Sequence, residues 1–134
     1  PNIMLAARKI NDEMGDWVVD NFLEFTKNEN IDLESTVVTL MGYTFKENCS
    51  DIRNTKVHDL ALSLKNIGVS LNIWDPFLTK ETQEELKKNN IKSYTDDPHD
   101  VHLAFICVYH EQVLKFLETY NGTVYDFKKL NPSI

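Results

Sequence analysis

The residues of this chain best suited to chemistry are two fixed cations in one polar segment, Lys46 and Arg53. They lie in Gly42-Tyr43-Thr44-Phe45-Lys46-Glu47-Asn48-Cys49-Ser50-Asp51-Ile52-Arg53-Asn54, between an apolar run and an amphipathic run. Lysine offers a phosphate a mobile point charge, and arginine offers two phosphate oxygens a planar fork. A helix starting near Asn54 or Thr55 would add its positive dipole end at the same place. Such a set can neutralise a phosphate ester, with Asp51 placed to hold the Arg53 guanidinium. The same residues also suit an ordinary surface loop whose Asp51–Arg53 pair carries little energy. The residues alone leave both readings open. The segment holds a single glycine, Gly42, so it lacks the G-x-G-x-x-G spacing that lets bare backbone approach a pyrophosphate.

Other reactive side chains form weaker patterns. Asp75 follows the next apolar run, where a dinucleotide site keeps a carboxylate for ribose hydroxyls. The preferred reading is plainer: Asp75-Pro76 makes a turn. The histidines, His58, His99, His102 and His110, show no metal-ligand spacing, and C-x-x-C is absent, so no metal is expected. A thiol nucleophile needs a partnered base, and nothing in the sequence brings a histidine to Cys49. Cys107, inside the apolar run 103–108, is expected to be a buried small hydrophobe. Two cysteines make no disulfide framework, which points to reduced thiols and a cytoplasmic location. The sequons at Asn48 and Asn121 are read as chance.

The elements that must position the polar segment follow from length and periodicity. One domain is expected from 134 residues, with 42% hydrophobic and 26% charged residues. A net charge of −7 argues against a nucleic-acid or anionic-membrane surface, while leaving room for a local cationic pocket. No apolar run reaches the length of a membrane span, and no signal-peptide pattern is present. A start at Pro1, directly into a helical pattern, is what an excised piece of a longer chain would show.

Apolar residues at Ile3, Ala7, Ile10, Met14, Val18, Phe22 and Phe25 step by three and four, which predicts one amphipathic helix roughly 35 Å long. Its length favours packing on something outside the domain, with folding back on the sheet as the alternative. Short β-branched or apolar runs predict strands over 36–41, 70–74, 91–95, 102–108 and 123–125. Helical stripes fall between them over 57–67, 79–89 and 110–118, the last with Val113, Leu114, Phe116 and Leu117 inward. Gly68 suits the C′ position of the first stripe and Lys65 its last turn. Alternation of this kind implies an α/β fold: a Rossmann-like, three-layer parallel sheet of about five strands, preceded by one long helix. Ligands then bind outside the carboxyl ends of the strands, which would set Lys46, Arg53, Asp75 and Lys128 on one rim.

With those residues in place, a resemblance emerges. Phe45-Lys46-Glu47-Asn48-Cys49, Asp51, Arg53 and Asn54, with Gly42 before them and Asp75-Pro76 after the next strand, resemble the UDP-binding C-terminal domain of the UDP-glucose/GDP-mannose dehydrogenase family. Ala7-Arg8-Lys9-Ile10-Asn11-Asp12, with Met14 and Gly15, is similar to the end of that family's central helix. The Phe-Lys-Glu-Asn form is most similar to the branch that oxidises UDP-N-acetylhexosamines to uronic acids for surface polysaccharides such as capsule or O-antigen. The resemblance implies residues 1–28 as the end of a central dimerisation helix and residues 33–134 as a UDP-binding domain. It implies an enzyme that carries out two NAD-dependent hydride transfers at a sugar C6, with NAD bound mainly by an N-terminal domain not in this sequence. The glycine-rich context of the family's catalytic cysteine is also absent, so no catalytic residue is assigned to this chain, which is expected to be inactive alone.

By the same resemblance Phe45 and Lys46 contact the nucleotide sugar, Lys46 from the side of its phosphates. Lys128, two residues after Asp126, contacts substrate, and Arg53 reaches the NAD. The implied partners are a UDP-sugar, the chain's own NAD-binding and central domains, and a second copy through the long helix; no nucleic acid or membrane is expected. A stand-alone regulatory or interaction module that binds a nucleotide without reaction is the alternative.

Overall fold

The computed structural model describes residues 13–44 and 55–126, with side chains described from residue 18 and, after the gap, from residue 56. Five strands form one sheet: β1 (Val37–Met41), β2 (Ser70–Trp74), β3 (Lys92–Tyr94), β4 (Leu103–Ile106) and β5 (Thr123–Asp126). The described helices are α1 (Glu13–Asn28), α2 (Thr55–Asn66), α3 (Lys80–Lys88) and α4 (Glu111–Thr119). The strand order is β3-β2-β1-β4-β5, and every neighbouring pair is parallel. The α/β architecture expected from the alternation of runs is therefore present, with α1 before the first strand.

The chain winds outward from β1 through α2 and α3 to β3, then returns to the other side of β1 to lay down β4 and, through α4, β5. Winding reverses between β1 and β4, so their carboxyl ends flank the topological switch point. Buried residues on both faces explain why the central strands read as continuous apolar runs. On one face Val38, Leu40, Ile73, Leu103, Phe105 and Tyr125 meet Val57, Leu60, Ala61 and Leu64 of α2 and the inward side of α1. On the other, Met41, Trp74, Ala104 and Ile106 meet Val113 of α4. Gly68, with φ +102°, ends α2 as expected. Its N–H bonds to the Lys65 carbonyl and the Val69 N–H to the Leu64 carbonyl, closing the last turn.

Three expectations are corrected. The described part of α1 packs on its own sheet rather than on something outside. Val18, Val19, Phe22 and Leu23 are buried in the shared core. The Phe22 ring lies 4.9 Å from that of Phe105 and 5.1 Å from that of Tyr125. The Tyr125 hydroxyl also donates to Asn21 Oδ1 on the same helix. An amphipathic stripe must be covered, and the sheet supplies the cover. Residues 3–12, which carry the rest of the expected stripe, lie outside the described residues. Leu114, expected inward, is 47% exposed. The inward stripe of α4 is Val113, Phe116 and Leu117, continued by Tyr120 just past its end, and Leu114 is turned about 100° from Val113. Cys107, expected buried, is half-buried beyond the end of β4.

The α1 contact carries a testable consequence. Phe22→Ala should cost about 3–5 kcal/mol of stability, because it empties a fully buried aromatic site between helix and sheet. Urea unfolding followed by circular dichroism measures it, and an unchanged midpoint would mean that α1 adds nothing to the fold.

Candidate functional site

The site is built where the chain leaves β1. Gly42 there has φ +100°, a conformation that side chains resist. Its N–H donates to the Trp74 carbonyl at 2.7 Å. A Cβ on Gly42 would lie 2.7 Å from Val108 Cβ and 2.8 Å from Val108 N, so glycine is also required by close approach. The N–H groups of Cys107 and Val108 both reach the Met41 carbonyl, at 3.0 and 3.2 Å. The exits of β1 and β4 are thus in direct backbone contact at the switch point.

Beyond Gly42 the chain turns its donors onto one carboxylate. Asp75, directly after β2, is fully buried. Its Oδ2 accepts from the Tyr43 N–H at 2.6 Å, the Thr44 N–H at 2.9 Å and the Thr44 hydroxyl at 3.2 Å. His110 Nε2 lies 2.8 Å from the same oxygen and 2.9 Å from Thr44 Oγ1. Asp75 Oδ1 accepts from the Phe77 N–H at 2.7 Å. An ionised carboxylate only accepts, so His110 must hold its proton on Nε2 to bond here. Burial pushes the Asp75 carboxyl up, but the bonds from His110, Thr44, Tyr43 and Phe77 outweigh it and hold the group below the ordinary carboxylate range.

Asp75 therefore departs from the ribose and rim readings. It is not a ribose-facing carboxylate, and it does not lie on the rim, since no part of it meets solvent. The turn reading holds for Oδ1, whose bond two residues ahead is an Asx-turn. Oδ2 adds a second role, tying the ends of β1, β2 and β4 to one point. His110 completes that point and was not singled out from sequence. It is fully buried at the N-cap of α4, makes no cap bond with its side chain, and packs its ring 4.9 Å from that of Phe77. The available signal was its place: an imidazole just before a helix, where serine, threonine or aspartate is the usual cap.

Two further contacts steady the same edge. The buried Tyr43 ring sends its hydroxyl to His58 Nδ1 on α2, at 2.9 Å. Tyr109, after β4, donates to Asp126 Oδ1 at the end of β5, at 2.6 Å. Phe45, Lys46, Arg53 and Lys128, the expected binding residues, lie outside the described residues, as does Cys49. The described chain stops at Thr44, two residues before Lys46, resumes at Thr55, two after Arg53, and ends at Asp126, two before Lys128. Among the described residues, no group of three or more histidine, cysteine or acidic side chains could hold a metal ion. No described helix is long and apolar enough to cross a membrane.

A cleft of about 980 Å³ opens elsewhere, at the β3 edge, among Asn72, Lys87, Lys92, Tyr94 and Asp100. Its lining mixes both charges, and β3 stands two strands from β1, about 10 Å away. The strand ends, rather than this cleft, join the switch point to an electropositive helix start. α2 begins at Thr55 with no acidic residue in its first turn, whereas α4 opens with Glu111.

Comparison with known proteins agrees with that geometry. Residues 39–131 match the UDP-glucose/GDP-mannose dehydrogenase family, UDP binding domain. Over 81 residues the chain is 41% identical to UDP-N-acetyl-D-glucosamine 6-dehydrogenase of Pseudomonas aeruginosa and 38% identical to the protein of that name from Salmonella typhi. Each match covers 60% of this chain and 19% of the relative. Over 133 residues it is 29% identical to Protein CapL of Staphylococcus aureus, covering 94% of this chain and 30% of that protein. The chain thus spans less than a third of the length of these curated relatives.

The buried carboxylate predicts a specific response to mutation and acid. Asp75→Asn presents an amide where donors converge and should cost about 3 kcal/mol at neutral pH. The folded pKa is depressed, so the stabilisation is present above the unfolded value of about 3.9 and is lost as pH falls through the folded value. Urea unfolding from pH 7 down to pH 2 should therefore show a shallower acid limb in Asp75→Asn than in the wild type. Parallel limbs would show that Asp75 does not carry this linkage.

Proposed function

The chain belongs to the UDP-glucose/GDP-mannose dehydrogenase family, through its UDP-binding domain, and we propose that it is the UDP-sugar-binding part of an NAD-dependent nucleotide-sugar 6-dehydrogenase. The substrate would be a UDP-hexose or UDP-N-acetylhexosamine, oxidised to its uronic acid for polysaccharide biosynthesis in the cytoplasm. Two relatives named for UDP-N-acetyl-D-glucosamine support the N-acetylhexosamine. The observation that carries the reading is the clamped segment Gly42–Thr44. It ends beside the switch point, and Phe45 and Lys46 follow it in sequence, inside the matched family domain. In this reading Lys46 neutralises the diphosphate and Phe45 contacts the nucleotide sugar. Lys128 contacts substrate from beyond β5. The positive start of α2 favours the same anion.

NAD would serve as hydride acceptor, and the described residues do not fit it. The β1 exit has one glycine, and the position its Cβ would take is already filled by Val108. The carboxylate after β2 is buried and engaged, so no group waits there for ribose hydroxyls. NAD is therefore assigned to another domain of a longer protein, with Arg53 as the residue of this chain that reaches toward it. No cysteine here sits in the family's catalytic context, so this chain binds and orients substrate and is inactive alone. Residues 1–28 would join the central region and support a homodimer.

Isothermal titration of UDP into the chain tests the reading. Lys46→Ala should weaken binding by about tenfold or more, the worth of a charge-assisted phosphate contact. Unchanged affinity would remove Lys46 from the site, and no binding by the wild type would reject the proposal.

A further inference from the structure

We propose that His110 is a positioning residue for the nucleotide site, setting through Thr44 where the chain leaves β1 toward Phe45 and Lys46. The inference rests on the UDP-binding reading above and adds to it a residue 66 positions away from Thr44 in sequence.

The argument begins with a closed ring of hydrogen bonds. Asp75 Oδ2, Thr44 Oγ1 and His110 Nε2 lie 3.2, 2.9 and 2.8 Å apart around the ring. Proton roles within it are forced. The carboxylate accepts from both neighbours, so the Thr44 hydroxyl gives its proton to Asp75, and the single Nε2–H is shared between Asp75 Oδ2 and Thr44 Oγ1 as a three-centre bond. Thr44 is then held twice, by its side chain within the ring and by its own N–H on the same carboxylate oxygen. Lys46 Cα can lie no more than about 7 Å from Thr44 Cα, because only Phe45 lies between them.

As a donor to the buried Asp75 the imidazole has a structural role, and its contact with Thr44 Oγ1 gives it a second one. His110 stands at the start of α4, yet its side chain does not cap that helix. An apolar ring would pack equally well on Phe77. The polarity of His110 is directed to the strand ends, and the residue it reaches borders the proposed binding segment. A donor in that place pre-organises the segment, so less ordering cost falls on the binding step.

Titration of UDP into variants of the chain tests this, each variant first shown to be folded by near-UV circular dichroism. His110→Phe keeps the ring and removes the donor, and should weaken UDP binding on the order of tenfold. His110→Gln can return an N–H close to the place of Nε2 and should recover binding to within about twofold of wild type. In a Lys46→Ala background His110→Phe should cost little more, because both changes act through one contact and their effects do not add. Should His110→Phe fail to fold, Thr44→Val removes the hydroxyl from the same ring and enters the same cycle. Wild-type affinity in both His110→Phe and Thr44→Val, or full additivity with Lys46→Ala, overturns the inference while leaving the UDP-binding reading intact. Absence of UDP binding by the wild type overturns both.

Discussion

A carboxylate with no exposure to water has to be surrounded by donors, and Asp75 imposes that demand on the whole carboxyl edge of the sheet. An unpaired buried charge costs several kcal/mol or more, so the donors are a condition of folding. They come from three places in the chain: the exit of β1, the turn after β2 and the start of α4. Strand order follows the same logic. β2 and β4 are the two neighbours of β1, so one side chain at the end of β2 can receive both from the β1 exit and from the chain that follows β4. The switch point is thereby closed at its base by a fixed polar joint, with Gly42 packed against Val108 beside it.

The joint explains why the first β–α turn can do without the usual glycines. In a dinucleotide site the turn bends tightly and presents bare N–H groups to phosphate. Here the N–H groups of Tyr43 and Thr44 face inward and are engaged by Asp75. They are not available to a ligand, and the family resemblance puts cationic side chains farther along the segment in their stead. Inward polarity fixes the start of the segment, and in the sequence its cations, Lys46 and Arg53, come after that start. Such a division lets the segment carry lysine and arginine without asking the backbone to serve both ligand and fold.

Much of this fold was legible in the sequence, because apolar runs and turn residues report burial directly. The run 36–41 became β1, the run 70–74 became β2, and Gly68 closed α2 in the left-handed conformation expected of it. What α1 covers was not legible. The stripe through Val18 and Phe22 says that one face is buried, and nothing in its period says whether the cover is the domain's own sheet or another surface. Leu114 shows the same limit at finer grain, since a short helix with apolar residues at four of five successive positions does not declare which of them sits off the stripe.

The candidate site is another matter, since Lys46 and Arg53 lie outside the described residues. Cations in a polar segment announce themselves, but the groups that hold such a segment are partners far apart in the chain. Asp75 meets Thr44 across 31 positions, and His110 meets Asp75 across 35. No local pattern links them; only the order of strands does, and it becomes known once the sheet is seen. Asp75-Pro76 reads as a turn because the Oδ1 bond to Phe77 is local, whereas the Oδ2 bonds are not. The buried joint need not add net stability over an apolar replacement of similar size, since desolvating a charge cancels much of what its bonds return. What an apolar replacement could not supply is direction. A carboxylate holding two successive N–H groups and a hydroxyl admits one arrangement of Tyr43 and Thr44, and a site built on the residues after them depends on that arrangement.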